Sequence, residues 1–157
     1  MKKVTIYTDG SSFGKSNDCG GWGCALIHEK TLLKLSGYDS NATNQTMELM
    51  AALQGLLILK ESCEVLIILD SQYVMHGFTK FWVKNWKKNN WINSSGDPVK
   101  NKDLWMRLDE EVSKHKVTWM WVKGHSGDFY NEMVDKLAKA AKISKMGVKE
   151  YSKILDI

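Results

Sequence analysis

Proline is nearly missing from this sequence, with Pro98 its sole example, and arginine is as rare, with only Arg107. No proline-rich, repetitive or low-complexity tract interrupts the chain, so no linker divides it, and one domain over residues 1–157 is expected. The three cysteines, Cys19, Cys24 and Cys63, are odd in number and show no C-x-x-C spacing. That excludes a disulfide framework and a zinc site and implies a reducing, cytoplasmic setting. Long apolar runs are lacking too. Thr5, Tyr7, Thr8 and Asp9 interrupt the residues after Met1-Lys2-Lys3 before a signal-peptide core is complete, and no later stretch could span a bilayer, so no membrane partner is expected.

What is present is an ordinary globular composition, 43% apolar and 25% charged, with an uneven charge distribution behind a net of +4. Between Lys80 and Lys102 lie six lysines (Lys80, Lys84, Lys87, Lys88, Lys100, Lys102) against one acid, Asp97, a local net of +5. The rest of the chain therefore sums to −1, and the basic character belongs to one segment, which suggests a polyanionic partner. Lysine meets phosphate as a point charge, whereas arginine reads guanine bidentately, so sequence-independent binding is expected.

Val4 to Ser12 alternates apolar and polar residues and reads as a strand turning at Asp9-Gly10. A polar, glycine-bearing loop, Ser11 to Gly21, leads to two strands, Trp22 to His28 and Thr31 to Tyr38, joined closely enough for a hairpin. Thr43 to Lys60 has helical periodicity, and Val65 to Leu69 is a continuous apolar run suited to a strand buried on both faces. Ser71 caps a helix from Gln72 to Phe78, with Gly77 marking its end. A short helix to about Lys88, a loop bearing Pro98, an amphipathic helix from Lys102 to His115, a strand from Val117 to Lys123 and a helix from Asn131 to Ile143 follow. The tail from Ser144 carries no assignable element. The implied fold is α/β, a mixed five-stranded sheet flanked by helices, in which the Thr43 helix is the crossover that sets the Val65 strand parallel to the first.

In that arrangement Asp9 and Asp70 end neighbouring strands, where open α/β sheets place their ligands. Each acid alone has an ordinary explanation: a turn residue for Asp9, a helix N-terminus for Asp70, an ion pair with Lys139 for Asp135. Glu48 resists one, because it shares a helix file with Ala51, Ala52, Gly55, Leu56 and Leu59. A carboxylate on that file is desolvated, and close to Asp9 and Asp70 it would leave several negative charges sharing one site. A divalent cation resolves the conflict, and an all-oxygen ligand set suits Mg²⁺ or Mn²⁺. Two such ions can promote in-line displacement at phosphorus, so a carboxylate cluster beside a lysine-rich patch points to phosphodiester hydrolysis.

The motifs T-D-G-S (Thr8 to Ser11), M-E-L-M-A-A (Met47 to Ala52), D-S-Q-Y-V (Asp70 to Val74), W-V-K-G-H-S-G (Trp121 to Gly127) and N-E-x-x-D (Asn131 to Asp135) occur in one order over nearly the whole chain. On them the sequence resembles the type 1 ribonucleases H. The resemblance implies a metal-dependent endonuclease that cuts the RNA strand of RNA/DNA hybrids to 5′-phosphate and 3′-hydroxyl ends, acting as a monomer with two Mg²⁺ ions or Mn²⁺ in their place. It implies that Asp9, Glu48, Asp70 and Asp135 bind the metals and that His125 assists proton transfer or product release. It assigns recognition of the hybrid to Gly10, Ser12, Asn44, Glu48 and Gln72, with Thr43 towards a DNA-strand phosphate. Residues from about 80 to 102 look like the family's basic protrusion, in which Trp82, Trp86 and Trp91 interleave with Lys84, Lys87 and Lys88, and at least one of Trp82 and Trp86, four residues apart, is expected to brace the segment.

The loop after Asp9, Gln45, and Gly127 to Tyr130 depart from the family's usual pattern. Two rival readings stand beside the ribonuclease H one. A hybrid-binding protein without catalysis is disfavoured by the four intact acids. Another nuclease of the same fold, such as a junction resolvase, an integrase core or a reverse-transcriptase module, is disfavoured by the basic segment and the Trp121 to Gly127 motif.

Overall fold

The alternation of the first strand places Val4, Ile6 and Thr8 on a buried face and sets that strand near the middle of the sheet. The computed structural model describes residues 1–14 and 18–154. It runs β1 (Lys2–Ser12), β2 (Asp18–His28), β3 (Thr31–Ala42), α1 (Asn44–Leu57), β4 (Cys63–Leu69), α2 (Gln72–Thr79), α3 (Trp82–Lys88), α4 (Lys102–Ser113), β5 (Lys116–Trp121), α5 (Phe129–Ser144) and β6 (Val148–Lys153). The sheet order is β5-β4-β1-β2-β3-β6. β1, β4 and β5 are parallel, while β2, β3 and β6 continue antiparallel from β1.

Helix α1 starts where Thr43 caps it: Thr43 Oγ1 accepts from Thr46 N at 3.1 Å, and Thr46 Oγ1 accepts from Thr43 N at 2.9 Å. Its apolar side, Leu49, Leu53 and Leu56, is fully buried with Ile6, Ile67, Trp105 and Leu108, forming the larger core between the sheet and α1 and α4. Each such side chain contributes about 1.5–3 kcal/mol through burial. A smaller core lies under α5, where Val134 packs with Ala25 and Leu32. No helix among the described residues is long and apolar enough to cross a membrane.

Four expectations change. The sheet has six strands rather than five, because Val148–Lys153 pairs with β3. Every β6 side chain is exposed, so backbone pairing with the open edge of β3 holds it and no apolar alternation announces it. The expected loop from Ser11 to Gly21 is largely ladder, with Ser11 opposite Gly21 and Ser12 opposite Gly20; residues 15–17 lie outside the described residues. Gly77 does not end α2, which continues to Thr79. It is a packing glycine instead, since a Cβ there would collide with the ring of buried Trp105. Finally α5 begins two residues before Asn131, because Asp128 caps it by accepting from Asn131 N at 2.8 Å.

Candidate active site

Asp9 lies on β1 one residue before Gly10, whose missing side chain decides what stands beside it. A Cβ on Gly10 would collide with the backbone of Met47 and Glu48, so glycine lets α1 press against β1 and carries Glu48 to Asp9. β4 runs parallel to β1 with Thr8 opposite Leu69, which brings Asp70 to the same end of the sheet. One carboxylate oxygen from each of Asp9, Glu48 and Asp70 then falls within 4.8 Å of the other two. Gly124 closes the cluster from the β5–α5 loop, its Cβ position only 2.9 Å from Asp70 Oδ2.

The electrostatics follow from this crowding. Asp9 is buried, and desolvation is the main cause that lifts its carboxyl from 3.8 to about 7; nearby Asp70 and Asp135 add to the rise, while hydrogen bonds from Glu48 and from Gly10 N, 2.9 Å from Oδ1, oppose it. Burial and the Asp9 charge hold Glu48 well above the usual carboxylate range. Burial raises Asp70 as well, with Asp135 adding to the rise and Asn131 and His125 opposing it. Glu48 Oε2 is fully enclosed and has no hydrogen-bond partner. A buried carboxylate oxygen without a donor, in an all-oxygen cluster of raised acids, has the chemistry of a site for a hard divalent cation.

The sequence is matched over residues 1–143 by the family model described as RNase H. The chain belongs to the ribonuclease H family. It is therefore a hydrolase of ribonuclease H type. A ribonuclease H of Pseudomonas putida strain W619 is 51% identical over 135 residues, 86% of this chain and 90% of that one. One from Hahella chejuensis is 49% identical over 150 residues, 96% of each chain. The crystal structure of a type 1 RNase H with the type 2 active-site motif superposes with a TM-score of 0.86 at 25% identity, covering 98% of this chain and 78% of that one. A foamy viral protease–reverse transcriptase in complex with RNA/DNA hybrid shares the fold at a TM-score of 0.72 and 20% identity, over 91% of this chain and 20% of that one.

Against this ribonuclease H framework the remaining expected residues can be placed. Asp135, on α5, is not within the close trio; it forms an ion pair with Lys139 at 3.0 Å, although its charge is felt by Asp70 and Asp9. His125 is exposed and left-handed in backbone, φ 58°, beside Gly124. Ser12 donates from both N and Oγ to Asn44 Oδ1 at 2.9 Å, joining β1 to the first residue of α1. Gln72 is exposed at the start of α2.

In the basic segment Trp86 is half-buried, with ring centroids 5.3 Å from Trp105, 6.0 Å from Trp91 and 6.3 Å from Trp82; it is the bracing residue. Trp82 is 37% exposed. Lys84, Lys87 and Lys88 are exposed; Lys84 lies 5.6 Å over the Phe81 ring, and Lys87 pairs with Asp109 at 3.0 Å.

Two further residues of the site, Asn131 and Trp121, each open one of the motifs quoted above, but the sequence gives neither of them a role. Asn131 is buried, its Nδ2 lacks a partner at hydrogen-bond distance, and its amide favours the ionised form of Asp70. The available signal is its position four residues before Asp135, on the same face of α5. Trp121 Nε1 donates to the Asp70 carbonyl at 3.1 Å; nothing in its alternating strand marks that contact.

Proposed function

We propose that this ribonuclease H is a single-domain, monomeric endonuclease that hydrolyses the RNA strand of RNA/DNA hybrids to 5′-phosphate and 3′-hydroxyl ends. The observation that carries the reading is the close trio Asp9, Glu48 and Asp70 with the enclosed, partnerless Glu48 Oε2. These three would hold Mg²⁺, or Mn²⁺ in its place, and Asp135 would complete the shell of a second ion. When bound, the two ions supply charge neutralisation and Lewis acidity on the attacking and leaving sides of an in-line displacement at phosphorus.

The chain's own residues do the rest. Asp9, on β1, and Asp70, directly after the end of the parallel neighbour β4, would fix the place of the ions relative to the sheet. His125, exposed on a loop that touches Asp70, moves a proton as product departs. Gly10, Ser12, Asn44, Glu48 and Gln72 read the RNA strand by its 2′-hydroxyls, the groups that distinguish the two strands of a hybrid. Thr43 takes a DNA-strand phosphate, and the lysines of the basic segment supply sequence-independent attraction, with Trp82 as the ring that remains accessible.

The test presents one labelled RNA as hybrid, RNA duplex and single strand, each with Mg²⁺ and with chelator, alongside branched DNA. Internal cuts in the hybrid alone, and only with metal, are expected. Preferential cutting of branched DNA would move the assignment to another nuclease of the fold, and hybrid binding without cutting would make the protein a binder.

A further inference from the structure

The end of β1, at Ser11, Ser12 and the following Phe13, is tied to the far helix by one side chain. Lys142, in the last turn of α5, donates from Nζ to Ser11 Oγ at 2.9 Å and to the Ser12 carbonyl at 3.4 Å. The same ammonium lies 4.5 Å from the centroid of the Phe13 ring. The base of this side chain is held as well. Gly21 on β2 has no Cβ, and one would collide with the Ala138 carbonyl and stand 2.7 Å from Lys142 N, so the end of α5 lies directly on the strand. Cys19 Sγ reaches the Lys142 carbonyl at 3.7 Å from the same strand.

At the last residue of β1, every polar atom of Ser12 is engaged. Its N and Oγ donate to Asn44 Oδ1, its Oγ accepts from Gly14 N at 3.2 Å, and its carbonyl takes Lys142. Because Oδ1 of Asn44 receives both Ser12 donors, the amide is oriented with Nδ2 as the group left to donate to substrate. We propose that Lys142 is a positioning residue for hybrid binding: it pins Ser11 to Phe13 so that Ser12 stays on Asn44 and Asn44 keeps its donor turned to the RNA strand. The inference rests on the functional reading above, in which Ser12 and Asn44 contact the hybrid.

Without the ammonium, the Ser12 carbonyl and Ser11 hydroxyl turn to water, Phe13 loses its cation, and Asn44 is free to rotate. The cost falls on binding geometry and leaves the carboxylate trio untouched.

Steady-state cleavage of the hybrid with Mg²⁺ tests this in wild type, Lys142→Met, Lys142→Arg, Lys149→Met, Ser12→Ala and the Ser12→Ala/Lys142→Met double variant. Lys142→Met keeps the aliphatic stem and should raise KM by about three- to tenfold, the scale of losing one ordinary hydrogen bond, because the effect on the hybrid is indirect. Its kcat should stay within about twofold of wild type. Lys142→Arg, which retains donors and a ring contact, should lie closer to wild type than Lys142→Met. Lys149→Met removes the same charge from β6 and should leave KM unchanged.

Ser12→Ala and Lys142→Met should combine non-additively, the double variant exceeding the worse single by less than about twofold. An unchanged KM in Lys142→Met with only a lowered unfolding temperature shows a purely structural role and overturns the inference. Multiplicative effects, with the salt slope falling by about one, show a direct phosphate contact and overturn it too. If wild type does not cut the hybrid, the functional reading fails and the inference with it; if wild type cuts and Ser12→Ala raises KM but Lys142→Met does not, the inference fails alone.

Discussion

The carboxylate trio and the lysine-rich segment both gather like charges, yet they do so under opposite conditions. Asp9, Glu48 and Asp70 come from two strands and a helix and meet where burial raises all three acids. Lys84, Lys87 and Lys88 stand exposed on one short helix, carried by tryptophans that pack underneath. Water and salt screen the second group, so its charges stand together with the Lys87–Asp109 ion pair the only one they form among the described residues. The first has no such relief and must share protons or accept a cation. The contrast separates the two tasks of a nuclease. Chemistry needs charges held rigidly in a dry place, whereas grip on a polyanion needs charges that remain solvated until the polyanion arrives.

The comparison is broken most severely by Asp9→Asn or Asp70→Asn. Each removes one carboxylate charge of the trio at nearly constant volume, and on the proposed function cleavage should fall by about a hundredfold or more, the scale of deleting one preorganised electrostatic group, while circular dichroism and hybrid binding are retained. Wild-type rates in either variant would remove these acids from the mechanism.

A pH series on metal-free protein examines the same crowding as stability. Folded Asp9 holds its proton up to about 7, whereas the unfolded group releases it near 3.8. Between those values the folded state binds more protons, so stability falls as pH rises through the window. The unfolding temperature of wild type relative to Asp9→Asn should therefore decrease from about pH 4 to about pH 7 and level off above. A rising difference would contradict the burial argument. Mg²⁺ should stabilise the wild type more at the top of that window than at the bottom, because binding requires the ionised acids.

On the other side of the contrast, Gly77→Ala should destabilise the protein by about 1–3 kcal/mol through overpacking against Trp105, measured by denaturant unfolding, with Mg²⁺ affinity unchanged. The smallest effects are in the salt dependence of hybrid binding. Lys84→Ala and Lys88→Ala should each lower the slope by about one unit, and Lys87→Ala by less, because Lys87 already pairs with Asp109. The double variant at Lys87 and Lys88 should change it by about one to two units. Equal slopes throughout would detach this helix from the nucleic acid.

Much of the fold and of the site is legible in the amino-acid sequence. Val4 to Ser12 and Val65 to Leu69 read as strands from their apolar patterns, and a helix between them requires a parallel crossover; β1 and β4 are indeed parallel neighbours. Glu48 stands out because its helix file is small and apolar. The sixth strand is not legible, since V-K-E-Y-S-K buries no side chain and its partner is the backbone of β3. Gly77 misleads because a glycine near a helix end looks like a stop, and only the Trp105 ring shows it to be a packing site. Asp135 presents both of its readings at once, an ion pair with Lys139 and a charge felt by Asp70.

The order of strands and helices, the strand-end acids and the solvated basic segment all follow from residue order alone, because each depends on residues near one another in the chain. Which acids meet, which lysine is already paired, and that Lys142 reaches across to Ser11 and Ser12 are instead outcomes of packing. They depend on how closely elements approach, and for the acids and for Lys142 that approach is set by the missing side chains of Gly10, Gly21 and Gly124, whose neighbours lie far away in sequence.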